Sequence, residues 1–215
     1  MLNPELIVSR LFTECLEPNE CLVVTGTQQF NAYSGYGDDF KWKGPHNDTL
    51  PKYGISMSSF AETIHLPHNI FLLENYIFFS LICINIVCRD TWNRKVTQIV
   101  AIDAYNFGNT DEQYKPKFVL RELNKAYVGF CRGLEEIESG VELSAVATGN
   151  WGCGVFRGDP RLKFLLQLMA CSLAGREMAY FTFGDGRLQA ELGAMYEHLV
   201  GLNVTVGKNW LINLV

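Results

Sequence analysis

The sequence offers little of what usually marks a charged-ligand protein. Basic residues are not in excess: 18 Lys and Arg stand against 23 Asp and Glu, a net charge of −5. That balance argues against a dedicated nucleic-acid surface, which needs clustered cations. Local backbone amides could still hold a polymer built from phosphates. The seven cysteines (Cys15, Cys21, Cys83, Cys88, Cys131, Cys153, Cys171) show neither paired zinc-ligand spacing nor a small disulfide framework. Cys83 and Cys88 are too isolated to make a metal site, and His65 and His68 read as incidental. Reduced thiols in a nuclear or cytosolic protein are the default expectation. The N-terminus lacks the charged and apolar stretches of a signal peptide. At 215 residues, with 48% hydrophobic and 19% charged residues, the chain is ample for one globular domain with a real core.

What is present is concentrated in one run, Ala147-Thr148-Gly149-Asn150-Trp151-Gly152-Cys153-Gly154-Val155-Phe156-Arg157-Gly158-Asp159, followed by Pro160. Repeated glycines remove the Cβ atoms that keep a backbone away from a ligand, and they permit the positive φ angles that let successive amides converge on an anion. Val141 to Thr148 before it reads as a buried strand, and Arg161 to Ala174 after it as a helix buried on much of its surface. Asp159 suits the N-cap and Pro160 the first helical position, so the loop enters the positive end of a helix. Met178 to Phe183 reads as a second strand. Strand, helix and strand in that order predict a right-handed crossover with parallel strands, which places Phe183 near Asn150 at the rim where α/β sheets bind ligands.

Upstream, Asn3 as N-cap and Pro4 at the first turn predict a helix to about Leu16, with Leu6, Ile7, Leu11 and Phe12 at helical spacing. Glu20 to Thr25 predicts a short buried strand, and Gly26 to Asp38 a polar, aromatic, glycine-punctuated loop of functional type. Ile99 to Asp103 ends another buried strand, with Asp103 in a structural role, capping or turn-making.

The strings A-T-G-N-W-G-C-G, G-D-P-R-L-K, Y-F-T-F-G-D, R-E-L-N-K-A-Y, I-V-A-I-D-A and N-P-E-L-I-V-S-R-L-F-T-E together resemble the poly(ADP-ribose) glycohydrolase family. Several motifs in family order are far more specific than a lone glycine-rich loop. The resemblance implies an α/β fold, an incomplete macrodomain-like α/β/α sandwich with a mixed sheet. It implies hydrolysis of ribose-ribose O-glycosidic bonds in poly(ADP-ribose) to release ADP-ribose, without metal or organic cofactor. The implied partners are poly(ADP-ribose), ADP-ribose and poly(ADP-ribosyl)ated proteins, in nucleus and cytoplasm.

The same resemblance assigns the binding residues. Backbone of Asn150, Trp151, Gly152, Cys153, Gly154 and Val155 would cradle the diphosphate, Phe156 would pack near the distal ribose, and Tyr36 would cover the ligand. Phe183 would be the adenine platform. Alternatives stay open at this stage: Tyr36 as a packing residue of its loop, Trp151 as a core anchor, Cys153 as a small filler rather than a nucleophile. Phe181 and Phe183 alternate on a strand, so one of the pair must face away. Arg157 stands where the family usually has a small residue, often glycine.

Glycosidic cleavage needs a carboxyl group that protonates the leaving oxygen. In the family an adjacent glutamate pair does this, upstream of the N-P-E-L-I-V-S-R string. The resemblance therefore places the pair before Met1, and no catalytic residue is assigned within this sequence. Glu135-Glu136, the one adjacent glutamate pair, reads as a solvated charge run. A catalytically inactive ADP-ribose-binding fragment is therefore the alternative reading, and low autonomous stability is expected of it. The resemblance lapses over about residues 50–89, where Ile70 to Cys88 is long enough for a membrane span. Glu74, Asn75 and Asn85 inside it speak against that span, and an unselected apolar insert in a single domain over 1–215 is the preferred reading.

Overall fold

A computed structural model describes residues 4–35, 37–46, 65–66, 70–73, 91–94, 98–131 and 144–206. The strands are β1 (Leu22–Thr25), β2 (Asn31–Ser34), β3 (Lys41–Pro45), β4 (His65–Leu66), β5 (Ile70–Leu73), β6 (Gln98–Ala101), β7 (Val146–Gly149) and β8 (Met178–Phe181), and the helices α1 (Pro116–Phe130), α2 (Pro160–Ala174) and α3 (Gly186–Gly201).

The central sheet has the order β4-β5-β8-β7 and is mixed: β5 and β7 run parallel to β8, while β4 is antiparallel to β5. The register pairs Gly149 with Phe181, so the glycine-rich loop leaves β7 level with the end of β8. All four residues of β8 are buried. A strand read as a continuous apolar run is therefore covered on both faces, as parallel strands in α/β folds are. The predicted crossover is present as β7, α2 and β8. Of residues 50–89, only 65–66 and 70–73 are described, and there β5 is an inner strand of the sheet. Glu135-Glu136 and most of the Ile70 to Cys88 run lie outside the described residues. Among the described residues no helix is long and apolar enough to cross a membrane.

Helix ends follow their capping chemistry. Asp159 accepts from the amides of Arg161 and Leu162, Pro160 occupies the first turn, and Gly175 closes α2 with φ +66°. Asp185 caps α3 through the Leu188 amide. The core joins α1, α2, α3 and β8: Val119, Leu123, Ala126 and Phe130 meet Leu162, Phe164, Leu166 and Ala170, with Phe164 edge-on to Tyr180 at 5.2 Å.

Three expectations are corrected. The N-terminal segment is a 3-10 helix over Pro4–Leu11 rather than an α-helix to Leu16, and Ile7, Val8, Leu11 and Phe12 are exposed. Short helices depend on tertiary burial of their apolar stripe, and here that stripe is uncovered. The two outer strands predicted as buried are β1 and β6, which pair antiparallel with each other and are partly exposed, Val23 included. The predicted loop over 26–38 instead contains β2, the first strand of an antiparallel hairpin with β3. Gly35 (φ +77°) turns that hairpin where a Cβ would strike the Asp39 backbone.

Candidate functional site

The glycine-rich loop rests on a second loop, Ile102 to Gly108, that follows β6. The Phe107 amide donates to the Phe156 carbonyl at 3.2 Å, the Trp151 indole N–H donates to the Ile102 carbonyl at 3.2 Å, and the Arg157 guanidinium reaches the Gly108 carbonyl at 3.4 Å. Inside the loop, the amides of Trp151, Cys153, Arg157 and Gly158 donate to the carbonyls of Gly149, Asn150, Gly154 and Gly152. Among the described residues the amides of Gly152, Gly154, Val155 and Phe156 have no backbone partner. These are the donors left for an anion.

The end of α2 contributes less than its dipole suggests. The Asp159 carboxylate already takes its first free amides, and Arg161 pairs with that carboxylate at 3.7 Å. A second anion at those two amides would meet like charge. Anion-binding capacity therefore sits in the loop amides rather than in the helix terminus.

Three glycines are there because their neighbours leave no room. A Cβ on Gly152 (φ +75°) would stand 2.6 Å from the Ala104 Cβ and 3.2 Å from the Lys163 Nζ. One on Gly158 would meet the Gly152 carbonyl oxygen at 2.9 Å, and one on Gly149 the Phe181 carbonyl oxygen and the Phe183 ring at 2.7 Å. Gly154 has nothing within 4 Å.

Phe183 and the loop are brought together as expected, but not as alternating strand residues. β8 stops at Phe181, which is buried; Phe183 follows in the left-handed region (φ +57°), its ring against Gly149 and 61% exposed. The period-2 rule thus does not govern this pair. Asn150 is anchored by its side chain, the Tyr180 hydroxyl donating to its Oδ1 at 3.0 Å from a fully buried position. Gln167 fastens the start of the loop, its Nε2 donating to the Gly149 carbonyl at 3.1 Å and its Oε1 accepting from the Thr148 hydroxyl. Buried Gln113 accepts from the Asp159 amide at 2.6 Å and fastens the other end. Tyr36 lies outside the described residues. So does Met1, the position before which the resemblance places the acidic pair.

Two side chains take the plainer of their open alternatives. Trp151 is packed against the core with its N–H engaged, so its side chain anchors the loop. Burial, reinforced by Asp159, pushes the Cys153 thiol up to about 12. A thiol so held is a poor nucleophile. At pH 8 it is expected to react with a maleimide at least about tenfold more slowly than exposed Cys15, as followed by mass spectrometry.

Arg157 adopts φ +58°, the conformation for which glycine is suited. A left-handed side-chain residue costs about 1–2 kcal/mol, and glycine returns about 0.4–1 kcal/mol of that as unfolded-state entropy. Arg157→Gly is therefore expected to leave thermal stability unchanged or slightly raised, whereas Arg157→Ala keeps the strain and loses the Gly108 contact. Calorimetric melting of both variants checks the order.

Beneath the loop lies a charge cluster that the sequence reading missed, apart from giving Asp103 a structural role. Asp103 accepts from Arg121 and pairs with Lys125 at 2.7 Å; Lys125 also donates to the carbonyls of Glu17 and Glu20. Burial works against the Asp103 carboxylate, but hydrogen bonds from Lys125 and Arg121 outweigh it and hold its pKa below the ordinary range. Glu122, 2% exposed, pairs with Arg121 and Lys163 and accepts from the Tyr105 amide at 3.1 Å. Lys163, 1% exposed, also lies over the Trp151 ring, 3.9 Å from its centroid. A charged pair on the buried faces of two helices has no marker in a hydrophobic pattern. Only the strings R-E-L-N-K and G-D-P-R-L-K could have pointed to it.

Among the described residues no group of His, Cys, Asp and Glu could hold a metal ion. The sequence model of the family described as "Poly (ADP-ribose) glycohydrolase (PARG), Macro domain fold" matches residues 1–62 and 75–190. It leaves residues 63–74 between its two matched stretches. Similar relatives include "Probable poly(ADP-ribose) glycohydrolase 2" of Arabidopsis thaliana, 29% identical over 98% of this chain and 39% of its own length. "Poly(ADP-ribose) glycohydrolase 2" of Caenorhabditis elegans is 29% identical over 99% and 38%, and that organism's "Poly(ADP-ribose) glycohydrolase 1" is 27% identical over 96% and 23%. The chain thus spans about two fifths or less of the length of these relatives. With the glycine-rich loop and its β7–α2–β8 crossover inside the matched region, the chain belongs to the poly(ADP-ribose) glycohydrolase family of hydrolases and has its macrodomain fold.

Proposed function

We propose that this chain binds the ADP-ribose units of poly(ADP-ribose), free or on modified proteins in nucleus and cytoplasm, and serves the hydrolysis of their ribose-ribose O-glycosidic bonds. One observation carries the reading: the loop amides of Gly152, Gly154, Val155 and Phe156, which have no backbone partner among the described residues, lie in the same loop as Gly149, against which the exposed Phe183 ring packs, at the C-terminal edge of two parallel strands. Amides suit a diphosphate, and an exposed ring suits an adenine face. Phe156 serves the distal ribose, and Tyr36 covers the bound ligand.

The loop reads as the binding part of the site. Glycosidic cleavage needs a carboxyl free to give up a proton, and three described acids near the loop are committed elsewhere. Asp103 and Glu122 are paired with cations, and Asp159 caps α2.

Base stacking on an aromatic ring contributes about 1–3 kcal/mol, or roughly 5- to 150-fold in affinity. Phe183→Ala is expected to weaken ADP-ribose by that factor while leaving the affinity for inorganic pyrophosphate unchanged, as read by isothermal titration. An unchanged ADP-ribose affinity would remove Phe183 as the platform.

A further inference from the structure

We propose that Lys163 positions the bound diphosphate: seated beneath Gly152 and Gly158 on the first turn of α2 and paired with Glu122, its ammonium supplies charge under the loop, and protonation of this pair is linked to anion binding. The proposal rests on the reading of residues 150–156 as the diphosphate cradle.

Lys163 is in immediate contact with that cradle. Its Nζ lies 3.2 Å and its Cε 3.0 Å from where Cβ atoms on Gly152 and Gly158 would be, and its ammonium faces the ring of Trp151. Both glycines therefore leave space that the lysine occupies. The charged groups around it are Arg121 and Glu122 from α1 and Asp103 from the segment after β6, with Lys125 on Asp103. On its own helix, Asp159 is turned to the amides of Arg161 and Leu162.

These five linked side chains comprise three cations and two carboxylates, so the fully ionised cluster holds one cation more than its own anions neutralise. Burial is the largest influence against that cation, Arg121 acts the same way and Asp103 against it, and together they push Lys163 down to about 7. An anion in the loop above restores the balance. Binding then draws a proton onto the Lys163–Glu122 pair, and by linkage that proton strengthens binding. A lysine that only filled the core would not couple to the ligand.

The test is titration of the whole chain with ADP-ribose, whose diphosphate diester does not itself titrate near neutrality, between about pH 6.5 and 8.5 in buffers of different ionisation enthalpy. The wild type is expected to take up a fraction of a proton on binding near neutral pH and to lose about tenfold in affinity across that range. Lys163→Met is expected to bind about tenfold more weakly at the acidic end, with a flat profile and no proton uptake. Should Lys163→Met fail to fold, Glu122→Gln is the second variant: its amide can still accept from Tyr105, and removal of the carboxylate moves the wild-type profile to lower pH. Binding by the wild type without proton uptake, or a Glu122→Gln or folded Lys163→Met profile identical to wild type, would overturn the proposal and leave the cradle intact. Absence of ADP-ribose binding by the wild type at every pH removes the cradle reading, and this proposal with it.

Discussion

Gly152→Ala is expected to cost about 2–5 kcal/mol of folding stability and to abolish measurable ADP-ribose binding. Two terms add. At φ +75° an alanine occupies the left-handed region, at about 1–2 kcal/mol. Its Cβ would also lie 2.6 Å from the Ala104 Cβ, an atom fixed to the backbone of the supporting loop, so the two loops must separate to admit it. Overpacking of this kind costs about 1–3 kcal/mol. The movement would fall on the segment whose amides are proposed to hold the ligand, and the Lys163 ammonium below it would be displaced as well. Gly154→Ala is the matched control for stability, because Gly154 has no neighbour within 4 Å and no positive φ, and it should melt like wild type. Urea denaturation of both variants, followed by titration with ADP-ribose, reads the difference. Equal stability of the two would mean that the contact between the loops does not constrain the site.

The sequence made the crossover legible because each of its parts is locally encoded. Asp159 and Pro160 start α2, Gly175 stops it, and two apolar strands flank it, so the placement of Phe183 beside the loop followed from topology. The outer parts were less legible, for physical reasons that differ case by case. Ile7, Leu11 and Phe12 keep helical spacing, but the structure buries none of them, and spacing alone does not supply the burial that sustains an α-helix. The β2–β3 hairpin was hidden because six residues separate Ser34 from Lys41 and its strands hold few apolar residues, so no alternating pattern stood out. Phe183 was placed on β8 although the strand ends two residues earlier; a left-handed backbone at a phenylalanine is not predicted by any propensity. Glu122, Lys125 and Lys163 carry no mark in a hydrophobic pattern yet are buried, because each finds its partner on an element distant in sequence.

That cluster gives the second large effect. Glu122→Ala is expected to destabilise the fold by about 3–5 kcal/mol, since it leaves the buried Lys163 ammonium without its carboxylate and the Tyr105 amide without its acceptor. Replacing both partners, Glu122→Met with Lys163→Met, should recover most of the loss, because a buried ion pair offsets little more than its own desolvation. The pH dependence has a definite sign. A lysine whose folded pKa, about 7, lies below its unfolded value near 10.5 costs most at acidic pH, and the cost is relieved as pH rises through that window. The buried thiols of Cys153 and Cys171, pushed up to about 12, act oppositely: once the unfolded chain begins to ionise above about pH 9, the fold retains protons that the unfolded state releases, and stability falls. Wild-type stability should therefore rise from neutrality to a maximum at roughly pH 8–9 and then decline. The double variant, which lacks the lysine, should show the alkaline decline without the preceding rise. Chemical denaturation at several pH values separates these curves, and a rise that persists in the double variant would mean that Lys163 is not the group responsible.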